Sequence, residues 1–144
     1  MIMIVTFCGH KDVFEKEQLT QRVQQIIEQL IGEGATLFLL GGYGGFDSVA
    51  AVAVKEAKLQ HPEIHSTLVL PYLDRTFNED LYDDSTYPPL EEVPRRYAIS
   101  RRNEWMVDQA DVVIAYVDHG WGGAAKTLEY ARRKKKRIIN IAEQ

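Results

Sequence analysis

The stretch from Val112 to Tyr130 limits the possible folds more than any other, because it reads as a buried strand, a glycine-rich turn and the opening of a helix. Val112-Val113-Ile114-Ala115-Tyr116 is a short apolar run of β-formers bounded by Asp111 and Asp118. Gly120-Trp121-Gly122-Gly123 follows, and then Ala124, Ala125, Leu128 and Ala131 recur at helical spacing. The glycines therefore fall where a strand's carboxyl end passes to a helix's amino end. Backbone N–H groups are unpaired at such a point and the helix dipole is positive, so a phosphate or carboxylate is held without a cationic side chain. The expected ligand is anionic.

The rest of the chain repeats the same alternation. Ile2 to Cys8 is a continuous apolar run, expected as a strand covered on both faces. Gly9-His10-Lys11 is a turn, and Asp12 with Glu15 fits a capping box ahead of a helix carrying Leu19, Val23, Ile26, Ile27, Leu30 and Ile31. Gly32 and Gly34 end that helix. Thr36 to Leu40 is a second strand, Gly41-Gly42-Tyr43-Gly44-Gly45 a second glycine turn, and Asp47 or Ser48 the expected cap of a small, apolar helix through Val49 to Val54. Ser66 to Leu70 is a third strand. A helix near Arg96 to Gln109 precedes the Val112 strand, and Arg137 to Ile141 is the last.

This pattern predicts an α/β fold: a Rossmann-like three-layer sandwich with a mostly parallel five-stranded sheet in the order 3-2-1-4-5. In an open sheet of that order the ligand crevice lies at the carboxyl ends of the first and fourth strands, where the order reverses. Gly9-His10-Lys11, Gly41 to Gly45 and Asp118 to Gly123 are then gathered around one pocket. Between Tyr72 and Pro94 no period holds, prolines interrupt, and acids alternate with aromatics, so 72–94 is expected to be an irregular lid or intersubunit arm.

Composition bounds the function. A chain of 144 residues, 45% hydrophobic and 26% charged, is expected to form one globular domain over 1–144. A formal net charge of −4 argues against a general nucleic-acid-coating surface. The run Arg132-Arg133-Lys134-Lys135-Lys136-Arg137 lies at a helix's carboxyl end, where cations offset the dipole. Met1 to Cys8 is too short for a membrane span and lacks a signal peptide's basic start, so a cytoplasmic location is expected. Trp105, Trp121 and the aromatic arm offer apolar surface for homo-oligomerisation.

Neither GxGxxG nor GxxxxGK[ST] occurs, so hydride transfer and P-loop hydrolysis are not expected. His10, His61, His65 and His119 lack metal-ligand spacing and Cys8 stands alone, so no metal or resident cofactor is expected. His10 and His119 fall on the pocket loops as hydrogen-bonding residues. On the helix before the Val112 strand, Asn103 shares a face with Ile99, Met106 and Ala110. It reads either as a satisfied core amide bracing a loop or as a contact to a ribose or base. Arg101 and Arg102 point to different sides; one is a candidate for a phosphate, and both also fit a plain solvated face. Asp47 is a helix cap or a partner for a sugar hydroxyl.

The combination of Gly9-His10, Gly41-Gly42-x-Gly44-Gly45-Phe46-Asp47, Arg102-Asn103-x-x-Met106-Val107-Asp108 and Gly122-Gly123 with Thr127 resembles the SLOG superfamily, which joins the SMF/DprA and LOG groups. It is most similar to the YpsA-like branch. The resemblance covers nearly the whole chain, least between Tyr72 and Pro94, and implies a Rossmann-like fold that binds a nucleotide or nucleotide-derived ligand; three glycine-bearing strand ends without a complete catalytic pattern make a regulatory or sensor module for an ADP-ribose-like ligand the first expectation. The resemblance also offers two alternatives. LOG proteins are phosphoribohydrolases with a GGxGTxxE pattern; here Gly122, Gly123 and Glu129 match it, whereas Ala125 and Lys126 replace its third glycine and threonine, and Thr127 comes one position late. Cleaving an N-glycosidic bond needs a carboxylate beside a developing oxocarbenium ion, for which Glu129 is the first candidate and Asp118 the second. A DprA-like nucleic-acid binder, resting on the basic run, ranks third.

Overall fold

The structure is a computed structural model that describes residues 2–73 and 76–143. Six strands form one sheet: β1 (Met3–Gly9), β2 (Ala35–Leu40), β3 (His65–Val69), β4 (Asp84–Thr86), β5 (Val112–Tyr116) and β6 (Arg137–Asn140). Four helices connect them: α1 (Lys16–Gly32), α2 (Gly45–Gln60), α3 (Ala98–Gln109) and α4 (Gly123–Arg133). The spatial order is β4-β3-β2-β1-β5-β6, and every neighbouring pair is parallel.

The five strands expected from the sequence take the expected order. The sixth, β4, is the correction: it lies inside the stretch read as aperiodic and extends the sheet beyond β3. Three residues of Asp-Ser-Thr carry no apolar alternation. Polar pairing holds them instead, with Thr67 Oγ1 donating to Asp84 Oδ1 at 2.7 Å and Ser66 N to Asp83 Oδ2 at 2.9 Å.

Alternation along the strands feeds two layers of core. Val5 and Phe7 of β1 and Phe38 and Leu40 of β2 pack beneath α1 and α2 with Val23, Ile27, Leu30, Phe46 and Val54. On the opposite face Cys8, Val113 and Ala115 pack with Val107, Leu128 and Ala131 of α3 and α4. Leu39, Val69 and Met106 form a smaller cluster, and Trp105 is drawn partly into it. One of the two indoles expected to form a surface for self-association is therefore half-buried.

The capping box does not form. Helix α1 starts at Lys16, and Glu15, at φ 52°, makes no side-chain cap. The residues ahead of it are pulled across to α2 instead, where Gly45 N donates to Lys11 O at 2.7 Å and Phe46 N to His10 O at 3.3 Å. Neither Asp47 nor Ser48 caps α2: the cap position is Gly44, and Asp47, inside the first turn, takes the Tyr43 N–H at 2.8 Å. Among the described residues no helix is long and apolar enough to cross a membrane.

Candidate functional site

A cavity of about 590 Å³ opens at the carboxyl ends of β1 and β5, where the strand order reverses. Small-molecule sites commonly span about 300–1,000 Å³. Of the residues expected at the site, Gly9, His10, Lys11, Asp47, Arg102, Asn103, Asp118, Gly122, Gly123 and Thr127 line it. Gly41, Gly42, Gly44, Gly45, Lys126 and Glu129 do not.

The two glycine turns differ in what they leave open. At the amino end of α2 the first N–H groups are taken by the carbonyls of Lys11 and His10, so the Gly41–Gly45 turn is closed by the protein itself. At the amino end of α4, Gly122 sits at φ 92°, a conformation that favours glycine, and no side chain caps the helix. Lys126 N donates to Gly122 O at 3.1 Å, and by helix geometry the N–H groups of Gly123, Ala124 and Ala125 point out of this end. Gly123 and Ala124 line the cavity, and a Cβ on Gly122 or Gly123 would meet nothing within 4 Å. The Thr127 hydroxyl is spent on Gly123 O at 2.9 Å.

Arg102 does not lie on a solvated face. It is 1% exposed and its Nη1 donates to Gly41 O and Val69 O, both at 2.8 Å, while Nε donates to Asn103 Oδ1 at 2.9 Å. Asn103 thus braces the arginine, and the most buried polar side chain of α3 is Arg102 rather than Asn103. Asp47 Oδ2 and Arg102 Cζ stand 3.1 and 3.3 Å from where a Cβ on Gly41 would lie, so opposite charges converge behind the second turn. Cys8 lines the same wall, and burial together with the nearby Asp47 charge pushes its thiol up to about 12. It stays protonated at neutral pH and is no nucleophile.

The LOG-like carboxylate is displaced. Glu129 projects to solvent, 3.6 Å from Arg132 Nη1. Thr127 faces inward, and two residues farther along a helix the side chain has turned about 200° away. Asp118 does reach the cavity, where its Oδ1 lies 3.1 Å from His10 Nε2.

Sequence reasoning missed a stack of three rings. His10 lies 3.7 Å from His119 at 9° between planes, and His119 lies 3.8 Å from Trp121 at 23°. Burial lowers the His10 pKa first and the neighbouring His119 lowers it further, with Asp118 opposing. The neutral ring uses Nε2 to accept the Asp118 N–H at 3.0 Å, which ties the β5–α4 loop to β1. Tryptophan inside a glycine turn was the available signal, read above as surface for self-association.

His10, Asp118 and His119 bring ligand atoms within 4.8 Å of one another, the kind of cluster that can hold a metal. A metal lies in the plane of each imidazole it binds, about 2.0–2.1 Å from nitrogen. Rings stacked face to face aim their lone pairs in parallel, and His10 Nε2 is already occupied, so this arrangement does not chelate one ion through both rings.

Because the folded state favours neutral His10, the unfolded chain takes up a proton first as pH drops below the ordinary value of 6.5. His10's contribution to stability is complete above that pH and is lost as pH falls toward the ring's lower folded pKa. His10→Gln keeps an acceptor near Nε2 and cannot titrate. Its urea-unfolding stability is expected to decline less steeply than the parent's between about pH 7.5 and 5. Parallel curves would remove His10 from this role.

A parallel Rossmann-like sheet with a ligand-sized cavity at its switch point is the place where open α/β sheets commonly hold their ligands. No protein-family model matches the chain. A Bacillus subtilis (strain 168) protein, the uncharacterized SPbeta prophage-derived protein YoqJ, is 26% identical over 141 residues, covering 81% of each chain. Among solved structures, the molybdenum cofactor carrier protein of Chlamydomonas reinhardtii matches 99% of this chain and 78% of its own, with TM-score 0.68 and 19% identity. DprA of Streptococcus pneumoniae matches 95% of this chain with TM-score 0.68 and 21% identity; the chain spans about half, 49%, of that protein. DprA of Helicobacter pylori, described by its single-stranded DNA binding mode, matches 94% of this chain and 63% of its own, with TM-score 0.65 and 17% identity. The chain therefore shares its fold with the carrier protein and with DprA.

Proposed function

We propose that this chain, as one cytoplasmic domain on the YpsA-like branch of the superfamily, binds a nucleotide or nucleotide-derived ligand in the switch-point cavity and acts as a regulatory or sensor module. The observation that carries the reading is the open amino end of α4, uncapped and facing a cavity of about 590 Å³. A phosphate fits those N–H groups with Lys11 at the same cavity. The carboxylates of Asp12, Asp47 and Asp118 suit sugar hydroxyls and limit the net positive charge, which favours a small ligand over a polyanion. Of the proteins sharing the fold, one is described as a cofactor carrier and another by the single-stranded DNA it binds.

The hydrolase reading loses its first residue, because Glu129 lies outside the cavity. The basic run behind the nucleic-acid reading lies away from the cavity, and two of its six cations are paired. Arg132 pairs with Glu129 and Glu143, Arg137 with Glu33, and the run lies at the far end of α4, about 16 Å from the glycine turn at 1.5 Å per residue.

Gly123→Ala tests the proposal. Beyond its chain neighbours and its own helix the added methyl meets nothing within 4 Å, and it adds bulk to the cavity lining beside the α4 N–H groups. The variant is expected to melt within about 2 °C of the parent. Its calorimetric affinity for nucleoside monophosphates is expected to drop at least about tenfold, roughly the loss of one charge-assisted hydrogen bond. Failure of nucleoside monophosphates, NAD and ADP-ribose all to bind the folded parent would refute the reading.

A further inference from the structure

We infer that Trp121 is a stacking platform for the planar heteroaromatic ring of the ligand, so that the cavity recognises a nucleobase as well as a phosphate; this rests on the nucleotide reading above. Trp121 is 71% exposed, yet it is held in place. His119 covers one face of the indole at 3.8 Å, and His10, only 9% exposed, backs His119 at 3.7 Å. Among the described residues no other ring stacks on the indole, and Trp121 lines the cavity. A large aromatic surface is thus left in water on a rigid two-ring support, which removes the entropy cost of ordering a loose side chain at binding.

The stack is maintained against hydrogen-bonding preference. His119 Nδ1 is buried and meets no partner among the described residues, although buried ring nitrogens are ordinarily satisfied. The orientation of His119 therefore follows the two rings that sandwich it rather than a hydrogen bond. Trp121 also directly precedes Gly122 and Gly123, so the indole and the α4 N–H groups open onto one cavity. A nucleoside monophosphate joins a flat ring to a phosphate through a hydroxyl-bearing sugar, and so uses all three features. A bare sugar phosphate leaves the indole uncovered.

Calorimetry with AMP, GMP, CMP, UMP and ribose 5-phosphate on the parent, Trp121→Ala and Trp121→Phe decides the matter. At least one nucleotide is expected to bind the parent about 5- to 150-fold more tightly than ribose 5-phosphate, the range found for base stacking on one aromatic residue. Trp121→Ala is expected to bring that nucleotide down to the ribose 5-phosphate level while leaving ribose 5-phosphate unchanged, and Trp121→Phe to restore part of the difference. Circular dichroism melts confirm that both variants fold. Equal affinity of the parent for nucleotide and ribose 5-phosphate, or a nucleotide affinity untouched by Trp121→Ala, overturns the platform and leaves the phosphate cavity standing. Absence of binding by all five compounds overturns the platform, and the nucleotide reading falls with it only when NAD and ADP-ribose also fail to bind.

Discussion

Arg102→Met is expected to lower the unfolding free energy by about 3–5 kcal/mol, the range for removing one side of a buried charged network. The methionine fills most of the volume but donates nothing. Gly41 O and Val69 O each lose a donor at 2.8 Å, and Asn103 Oδ1 loses its partner at 2.9 Å. The Asp47 carboxylate, close to the same guanidinium beside Gly41, is left with less compensation. Arg102→Lys is expected to recover only part of the loss, because a single ammonium cannot reproduce a planar fork that serves two carbonyls and an amide. Equilibrium urea unfolding measures both. A Met variant within about 1 kcal/mol of the parent would show that the guanidinium's burial cost cancels its hydrogen bonds, as happens for some buried ion pairs.

Gly9→Ala is expected to destabilise by about 3 kcal/mol, the upper part of the usual overpacking range. A Cβ there would stand 2.3 Å from Phe46 Cδ2 and 2.6 Å from its Cβ. Phe46 has no room to withdraw: it is fully buried, with Phe7 at 6.5 Å and Tyr116 at 6.0 Å between ring centroids. Relief has to come from α2, whose amino end is bound to the Lys11 carbonyl, so the cavity wall moves with it. Gly9 thus serves the site by letting a helix approach a strand. At roughly 3 °C per kcal/mol for a chain of this size, the melting temperature is expected to drop by about 9 °C. A drop under about 2 °C would mean that Phe46 repacks freely.

Periodicity made the five principal strands and their order legible, since β1, β2 and β5 are apolar on both faces and the helices carry continuous stripes. The three loops at the cavity followed from the switch-point rule, which depends on strand order alone. What stayed hidden depends on partners distant in sequence. β4 is held by Ser66 and Thr67, whose pairing with Asp83 and Asp84 leaves no trace in a local pattern. Arg102 and Arg101 are adjacent and alike, and only the carbonyls of Gly41 and Val69 distinguish them. Glu129 kept the spacing of a known pattern while the helix turned it to solvent. The ring stack joins His10 to a loop more than a hundred residues later, beyond the reach of any sequence window.

The short outer strand bears on the protein's behaviour in a crowded solution. An exposed strand edge is a template on which another chain can add, and β3, with Ser66 to Val69 all buried, would be an adhesive one. β4 lies over that edge with only three residues of its own. The carboxylates of Asp83 and Asp84 turn inward, Asp83 to Ser66 and Lys58 and Asp84 to Thr67 and His65, and so fasten β4 to the edge it covers. A border only three residues long offers an intruding strand little to pair with, so the segment that breaks the sequence pattern also protects this edge of the sheet from lateral aggregation.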